Sequence, residues 1–137
     1  LHDLVATMIA AVSDIHVLRD PTRGGVATAL NEIAHQSAVG MMLYEKKLPI
    51  RQQVSAACEF LGLDPLYVAN EGKLIALCAP DDADQLLTTM RLHPLGNQAA
   101  IIGEVIEDSH CFVQMETRFG GKRVVDWLGG EQLPRIC

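Results

Sequence analysis

The last residue of the chain, Cys137, is a thiol at the end of a short segment with unusual composition. Two glycines open this segment, residues 129–137, and a proline stiffens it close to the thiol. Fully extended, the segment can span roughly 30 Å. Leu133 and Ile136 are apolar side chains that can dock its tip in a groove. We predict a flexible tail; from the residues alone, its cysteine is either a functional thiol or one without consequence.

A second candidate site is the stretch RDPTRGG, which comes directly before a predicted helix. Glycines let a backbone approach a ligand closely, and the amides at a helix N-terminus bind anions. An arginine can hold a phosphate or carboxylate through two hydrogen bonds. The residues that we assign to a phosphate-facing loop are Asp20, Thr22, Arg23, Gly24 and Gly25. From spacing alone, a plain turn with a helix cap is the simpler interpretation, because the stretch is not a Walker motif.

The third candidate is VANEGKL, where Asn70, Glu71 and Gly72 precede an apolar run. A carboxylate at the start of a buried strand can be partly desolvated, and its raised pKa then suits a general base near neutral pH. A simple polar turn between two apolar elements explains the same residues. From the residues alone, both interpretations of Glu71, general base and part of a polar turn, stay open.

Metal chemistry is not predicted from this sequence. Glu32 and His35 stand three residues apart on one helix, but a single copy of that pair favours a solvated helix face. Cys58, Cys78 and Cys111 each have apolar neighbours and are interpreted as small buried side chains. We therefore expect no metal site in this chain.

Hydrophobic spacing predicts the elements that must position these residues. Helices are expected at residues 2–13, 26–37, 51–63 and 81–92, and strands at 39–45, 73–80, 99–107, 111–117 and 120–128. The apolar positions of the third helix predict that Val54, Ala57, Cys58 and Leu61 face the core. Such a mixture, with antiparallel hairpins near the end, indicates an α+β fold in which helices pack on a mixed, largely antiparallel sheet.

Length and composition narrow the class of protein. At 137 residues the chain has the size of one domain, and its 49% apolar and 20% charged residues are typical of globular proteins. A net charge of −6 without a basic cluster argues against a nucleic-acid partner. No apolar run is long enough for a bilayer, and no signal peptide is recognised, so we expect a cytoplasmic protein. Since LHDLVATMIAAV begins as if inside a helix, we expect residues 1–128 to be the C-terminal domain of a longer, two-domain protein.

Three stretches carry a resemblance to a known family. RDPTRGGVATALNEIA, PLYVANEGKLIAL and the terminal LPRIC closely resemble the HypE family of hydrogenase maturation factors, which are carbamoyl dehydratases. The resemblance extends over the whole chain as the C-terminal half of those proteins. More broadly, the chain resembles the aminoimidazole ribonucleotide synthetase superfamily, which also includes selenophosphate synthetase. This resemblance implies that the chain has the fold of the C-terminal domain of that superfamily.

The resemblance also implies a function for the terminal thiol. In that family a carbamoyltransferase, HypF, carbamoylates the terminal cysteine, here Cys137, and ATP-dependent dehydration converts the group to a thiocyanate. The cyanide then passes to iron on a HypC–HypD scaffold during maturation of nickel–iron hydrogenase. Within this reaction we assign Glu71 as the base or as the residue that orients the amide, with Asn70 supporting it. The loop of Asp20 to Gly25 is assigned to face the nucleotide phosphates or the phosphorylated intermediate.

Most of the ATP and Mg²⁺ site, and the homodimer contact, are implied to lie in an N-terminal domain absent from this chain. The chain alone is therefore expected to be inactive. Two other functions stay open: an ATP-using enzyme of the same superfamily that phosphorylates a small molecule, and a docking module for maturation partners. The terminal PRIC stretch argues against the first of these, because such relatives need no terminal thiol.

Overall fold

The computed structural model describes residues 1–128, so the predicted tail at 129–137 lies outside the described residues. The helices are α1 (His2–Ala11), α2 (Gly25–Ser37), α3 (Gln52–Leu61) and α4 (Ala83–Leu92). The strands are β1 (Ile15–Arg19), β2 (Gly40–Tyr44), β3 (Ile75–Cys78), β4 (Gly103–Ile106), β5 (Val113–Glu116) and β6 (Lys122–Val124). One-turn 3-10 helices lie at Glu45–Lys47, Pro65–Tyr67 and Pro80–Asp82.

The chain separates into two compact units. The first unit consists of residues 1–20 and 72–101. In it, β1 pairs antiparallel with β3, and α1 packs with α4. Four buried side chains form the centre of this unit: Leu4, Met8, Val12 and Leu86. A two-stranded sheet is marginal by itself, so these helices supply the apolar cover that stabilises the strand pair.

The second unit consists of residues 21–71 and the described residues from 102 onward. Its four-stranded sheet has the order β4-β2-β5-β6, in which β2 runs parallel to β5 and the other two pairings are antiparallel. Helix α2 packs against β2 and β5. The buried apolar side chains that this packing covers include Ala27, Leu30, Ile33, Met41, Leu43, Val113 and Met115.

The predicted fold class is confirmed: the structure is α+β, and its strand pairings are mixed and largely antiparallel. Strand β1 was not predicted, because its five residues are followed at once by the Asp-Pro and Gly-Gly signals of a loop. The expected hairpin of residues 99–107 with 111–117 is wrong, since β4 and β5 pair with opposite edges of β2. Spacing along the sequence cannot indicate that a central strand is inserted between two consecutive ones.

The inward face predicted for α3 is correct for Cys58 and wrong for the other three residues. Cys58 is its one buried residue within the described chain, whereas Val54, Ala57 and Leu61 are exposed. The pattern correctly predicted an amphipathic helix, and α3 stops at Gly62 in the left-handed conformation as expected. Periodicity alone does not show which side of a helix another element covers.

Among residues 1–128, no helix has both the length and the apolar character needed to cross a bilayer.

Candidate functional site

The glycine pair before α2 adopts the backbone conformation for which glycine is suited. Gly24 and Gly25 have φ angles of 69° and 64°, in the left-handed region, and both are buried. A Cβ on Gly25 would overlap the carbonyl oxygen of Leu66 and lie 2.7 Å from that of Val68. Glycine at position 25 thus allows the loop to pack directly against the backbone of residues 66–68.

A backbone hydrogen bond joins the two predicted site stretches. The amide of Asn70 donates to the carbonyl oxygen of Pro21 over 3.1 Å, and the Asn70 side-chain amide donates to the carbonyl of Val68 over 3.3 Å. Residues 21–25 and 66–70 therefore lie against each other in the second unit, although they are far apart in sequence. We call these two stretches the loop pair.

Glu71 follows directly after the loop pair, and it is exposed. The partial desolvation predicted for this carboxylate is therefore not provided by the described residues. In a catalytic role, the groups that exclude water from Glu71 would have to come from a bound substrate or from another part of the full protein.

The remaining predicted residues are placed as follows. Thr22 is half-buried and Arg23 is exposed beside the buried glycines, within the second unit. Asp20 is exposed and is the last residue of the first segment of the other unit. Cys137 lies outside the described residues.

The N-terminus of α2 has the electrostatic character of an anion site. Its N-cap is Gly24, which has no capping side chain, and the first turn carries no acidic residue. The helix is 13 residues long, so its first-turn amides and dipole favour a negative group at this end. Arg23 adds an exposed positive charge next to these amides. This arrangement fits a phosphate or carboxylate and offers nothing specific to a cation.

Thr28 is a polar residue that the sequence analysis missed. Its hydroxyl oxygen Oγ1 is buried and has no hydrogen-bond partner among residues 1–128. It lies on the first turn of α2, where a Cβ on Gly24 would overlap the Thr28 side chain. A hydroxyl residue four positions after a glycine cap was the available signal. The hydroxyl adds a second polar group, besides the helix amides, to the same end of α2.

The turn that packs on Gly25 is itself held at several points. Asp64 accepts a hydrogen bond from the amide of Leu66 over 2.9 Å, and its other carboxylate oxygen pairs with Arg123. The Tyr67 hydroxyl donates to the carbonyl oxygen of Asp126 over 3.0 Å. Burial, and next the carboxylate of Asp64, raise the pKa of Tyr67 above its usual range. These contacts fix the Pro65–Tyr67 turn against β6 and the residues that follow it.

Within the described part of the chain, no group of three or more histidine, cysteine or acidic side chains is placed to hold a metal ion. Glu32 is half-buried, and the ring of His35 lies against Trp127 with a centroid distance of 5.4 Å. The His35 ring therefore has an aromatic neighbour in the second unit.

Comparison with known proteins identifies the family. Residues 2–116 match the model of the AIR synthase related protein, C-terminal domain. The whole chain is 70% identical to the carbamoyl dehydratase HypE of Cupriavidus necator (strain ATCC 17699 / DSM 428 / KCTC 22496 / NCIMB 10442 / H16 / Stanier 337), of which it covers 39%. It is 67% identical to the carbamoyl dehydratase HypE of Azotobacter vinelandii, of which it covers 40%. The chain thus spans about two fifths of the length of these curated relatives.

Solved structures agree with this assignment. A structure of the hydrogenase maturation protein HypE in complex with ATP has a TM-score of 0.92 and 48% identity, and the match covers all of this chain and 42% of that one. A structure of a HypE–HypF complex has a TM-score of 0.89 and 44% identity, and the match covers 93% of this chain and 41% of that one. The chain therefore belongs to the AIR synthase related protein family, as a C-terminal domain of the HypE type.

Proposed function

We propose that this chain is the C-terminal domain of a longer, two-domain ATP-dependent carbamoyl dehydratase. The observation that carries the proposal is the 70% identity, over all 137 residues, to a protein named carbamoyl dehydratase HypE. In this proposal residues 1–128 form the domain and residues 129–137 form the tail that carries Cys137. The full protein acts in nickel–iron hydrogenase maturation in the cytoplasm, as a homodimer joined through its N-terminal domain.

The reaction defines what the residues must do. An S-carbamoyl group on Cys137 becomes a thiocyanate when its carbon loses the amide oxygen, which leaves as inorganic phosphate after its phosphorylation, and its nitrogen loses two protons. ATP supplies the phosphoryl group that makes the amide oxygen a leaving group. Glu71 accepts a proton from the amide nitrogen, and Asn70, fixed by its bond to Pro21, supports the position of Glu71.

The loop pair is proposed to face the phosphate groups. First-turn amides of α2, the Arg23 guanidinium and the half-buried Thr22 can bind phosphate oxygens. Asp20 can help to order Mg²⁺ that accompanies the nucleotide. Most of the ATP and Mg²⁺ site is assigned to the N-terminal domain, so the chain alone is expected to be inactive.

The proposed partners follow from the same chemistry. A transferase must place the carbamoyl group on Cys137, and a HypE relative forms a complex with HypF. An iron scaffold, HypC–HypD, must then accept the cyanide. A thiol at the end of a nine-residue segment can be presented to each of these partners in turn.

Mass spectrometry of the C-terminal peptide tests this function. The full-length protein is incubated with the transferase and carbamoyl phosphate, first without and then with ATP. We expect the peptide to gain the mass of one carbamoyl group and then to lose one water, and Cys137→Ala to show neither change. An unmodified Cys137 in a reaction with active transferase would refute the proposal.

Glu71→Gln separates the base assignment from the overall function. Loss of a general base slows proton transfer by about 100-fold or more, so carbamoylation should persist while water loss becomes slow. Normal water loss in Glu71→Gln and Glu71→Ala would remove Glu71 from the mechanism and favour a docking role for this domain.

A further inference from the structure

Helix α3 presents an apolar surface that the second unit does not use for its own packing. Val54, Phe60 and Leu61 are 45%, 89% and 62% exposed, and Ala56 and Ala57 are exposed as well. Four of these residues, Val54, Ala57, Phe60 and Leu61, lie within about a third of the helix circumference by their spacing, and we call them the α3 face. Glu59, the charged residue within α3, lies on roughly the opposite side from Ala57.

The composition of the α3 face is typical of a protein–protein contact. Aromatic and large aliphatic side chains around small ones form the centres of interfaces, where charged residues are depleted. A nucleic acid would need positive charge here, and the face has none. An exposed Phe and Leu side by side on a helix are costly for solubility unless a partner covers them.

Helix α3, which carries the α3 face, lies close to the origin of the terminal segment. The Pro65–Tyr67 turn packs against α3, and the Tyr67 hydroxyl holds the carbonyl of Asp126. Asp126 is two residues before Leu128, the last described residue. Helix α3 is about 15 Å long, whereas residues 129–137 can span roughly 30 Å. A protein bound on the α3 face is therefore within reach of the Cys137 thiol.

We propose that the α3 face is the docking surface for the carbamoyltransferase that modifies Cys137. The inference rests on the proposed function, and it commits to the transferase because a HypE relative forms a complex with HypF. Docking near the origin of the segment makes delivery of the thiol effectively intramolecular, which raises its local concentration at the transferase active site. If the transferase docked on the far side of the unit, most of the extended length of residues 129–137 would be needed to cross the unit, and little would remain to enter the transferase active site.

The test compares two phenylalanines of this chain. Phe60 on the α3 face and Phe119 in the β5–β6 turn are 89% and 100% exposed. Each is changed to glutamate in the full-length protein, and transferase binding is measured by isothermal titration calorimetry. Phe60→Glu should weaken binding at least about 30-fold, the effect of losing an interface hot spot. Phe119→Glu should change binding less than about 3-fold, because single rim charges contribute little.

Two controls make the outcome decisive. The melting temperature and the molar mass of each variant are measured without transferase. Unchanged values together with weak binding of Phe60→Glu support the proposal. A lower melting temperature or an altered assembly for Phe60→Glu would show that the full protein covers α3 itself, and would overturn the proposal.

Equal binding of Phe60→Glu and wild type would overturn the proposal too. The function is read separately, from carbamoylation of wild-type Cys137 by mass spectrometry. If wild-type Cys137 is modified while Phe60→Glu binds normally, only the docking surface is wrong. If wild-type Cys137 is not modified, the proposed function itself fails.

Discussion

The backbone amide of Asn70 donates a hydrogen bond to the carbonyl oxygen of Pro21 over 3.1 Å. This bond joins the two stretches that the sequence analysis singled out separately for phosphate binding and for base catalysis. Gly25 makes the same connection by packing, since a Cβ there would overlap the Leu66 carbonyl. The two stretches of the loop pair therefore support each other's conformation. A substitution in one stretch should shift the backbone of the other.

Gly25→Ala should destabilise the second unit strongly. A left-handed φ costs a non-glycine residue about 1–2 kcal/mol, and overlap with the backbone at Leu66 and Val68 adds about 1–3 kcal/mol. We expect the free energy of unfolding to fall by about 2–5 kcal/mol, measured by urea unfolding with the fluorescence of Trp127, the single tryptophan of the chain.

Gly62→Ala is the matched control for this change. Gly62 has a φ of 67°, and a Cβ there would have no atom within 4 Å. The variant should therefore lose only about 1–2 kcal/mol, the cost of the backbone conformation. Equal losses at the two positions would show that the contact of Gly25 with residues 66–68 contributes nothing.

Thr28→Val should leave stability unchanged or raise it by up to about 1 kcal/mol. The Thr28 hydroxyl is buried without a hydrogen-bond partner among the described residues, and an apolar group of the same shape avoids the cost of desolvating it. Urea unfolding of the variant against wild type measures the difference. A loss of more than about 1 kcal/mol would show that the hydroxyl makes a stabilising hydrogen bond in solution.

The sequence predicted the type of most elements because their patterns are local. All four helices follow from apolar spacing, and Gly62 marks the end of α3. The insertion of β2 between β4 and β5 is a long-range property, and no local pattern encodes it. The exposure of Phe60 and Leu61 could not be predicted either, because it depends on which side of α3 is covered by residues that are distant in sequence.

The candidate site shows the same division. The glycine pair and the polar stretch at residues 70–71 were found by residue type, since few other types suit those backbone conformations and chemistries. Their contact through Pro21 and Leu66 depends on tertiary packing. The exposure of Glu71 is likewise a tertiary property, and the sequence prediction of partial desolvation did not anticipate it.

Asn31→Ala should destabilise the second unit by about 1–3 kcal/mol. Asn31 is the buried polar residue of α2, and its side-chain amide donates to the carbonyls of Ala27 and Val125 over 2.9 Å and 2.8 Å. Removing the donor leaves the buried Val125 carbonyl without that bond. Gln36→Ala, an exposed change on the same helix, should alter the free energy of unfolding by less than about 0.5 kcal/mol. Similar effects of the two changes would contradict the role of Asn31.

Tyr67→Phe should lower stability near neutral pH and lose this effect in alkali. The variant removes the hydrogen bond to the Asp126 carbonyl, which contributes about 0.5–1 kcal/mol. In the folded protein, burial and the Asp64 carboxylate raise the pKa of Tyr67 above its ordinary value of 10.0. The unfolded chain therefore releases the phenol proton first as pH rises. The stability from Tyr67 is complete below pH 10.0 and is lost as pH passes through the raised pKa.

The difference in unfolding free energy between wild type and Tyr67→Phe measures the stability that Tyr67 contributes. The pKa of Tyr44 is also raised, but Tyr44 is present in both proteins, so its contribution cancels in the difference. Urea unfolding at about pH 8 and about pH 11 gives the two values. The difference should shrink at the higher pH. A difference that stays constant, or grows, would mean that the phenol of Tyr67 titrates no later in the folded protein than in the unfolded chain.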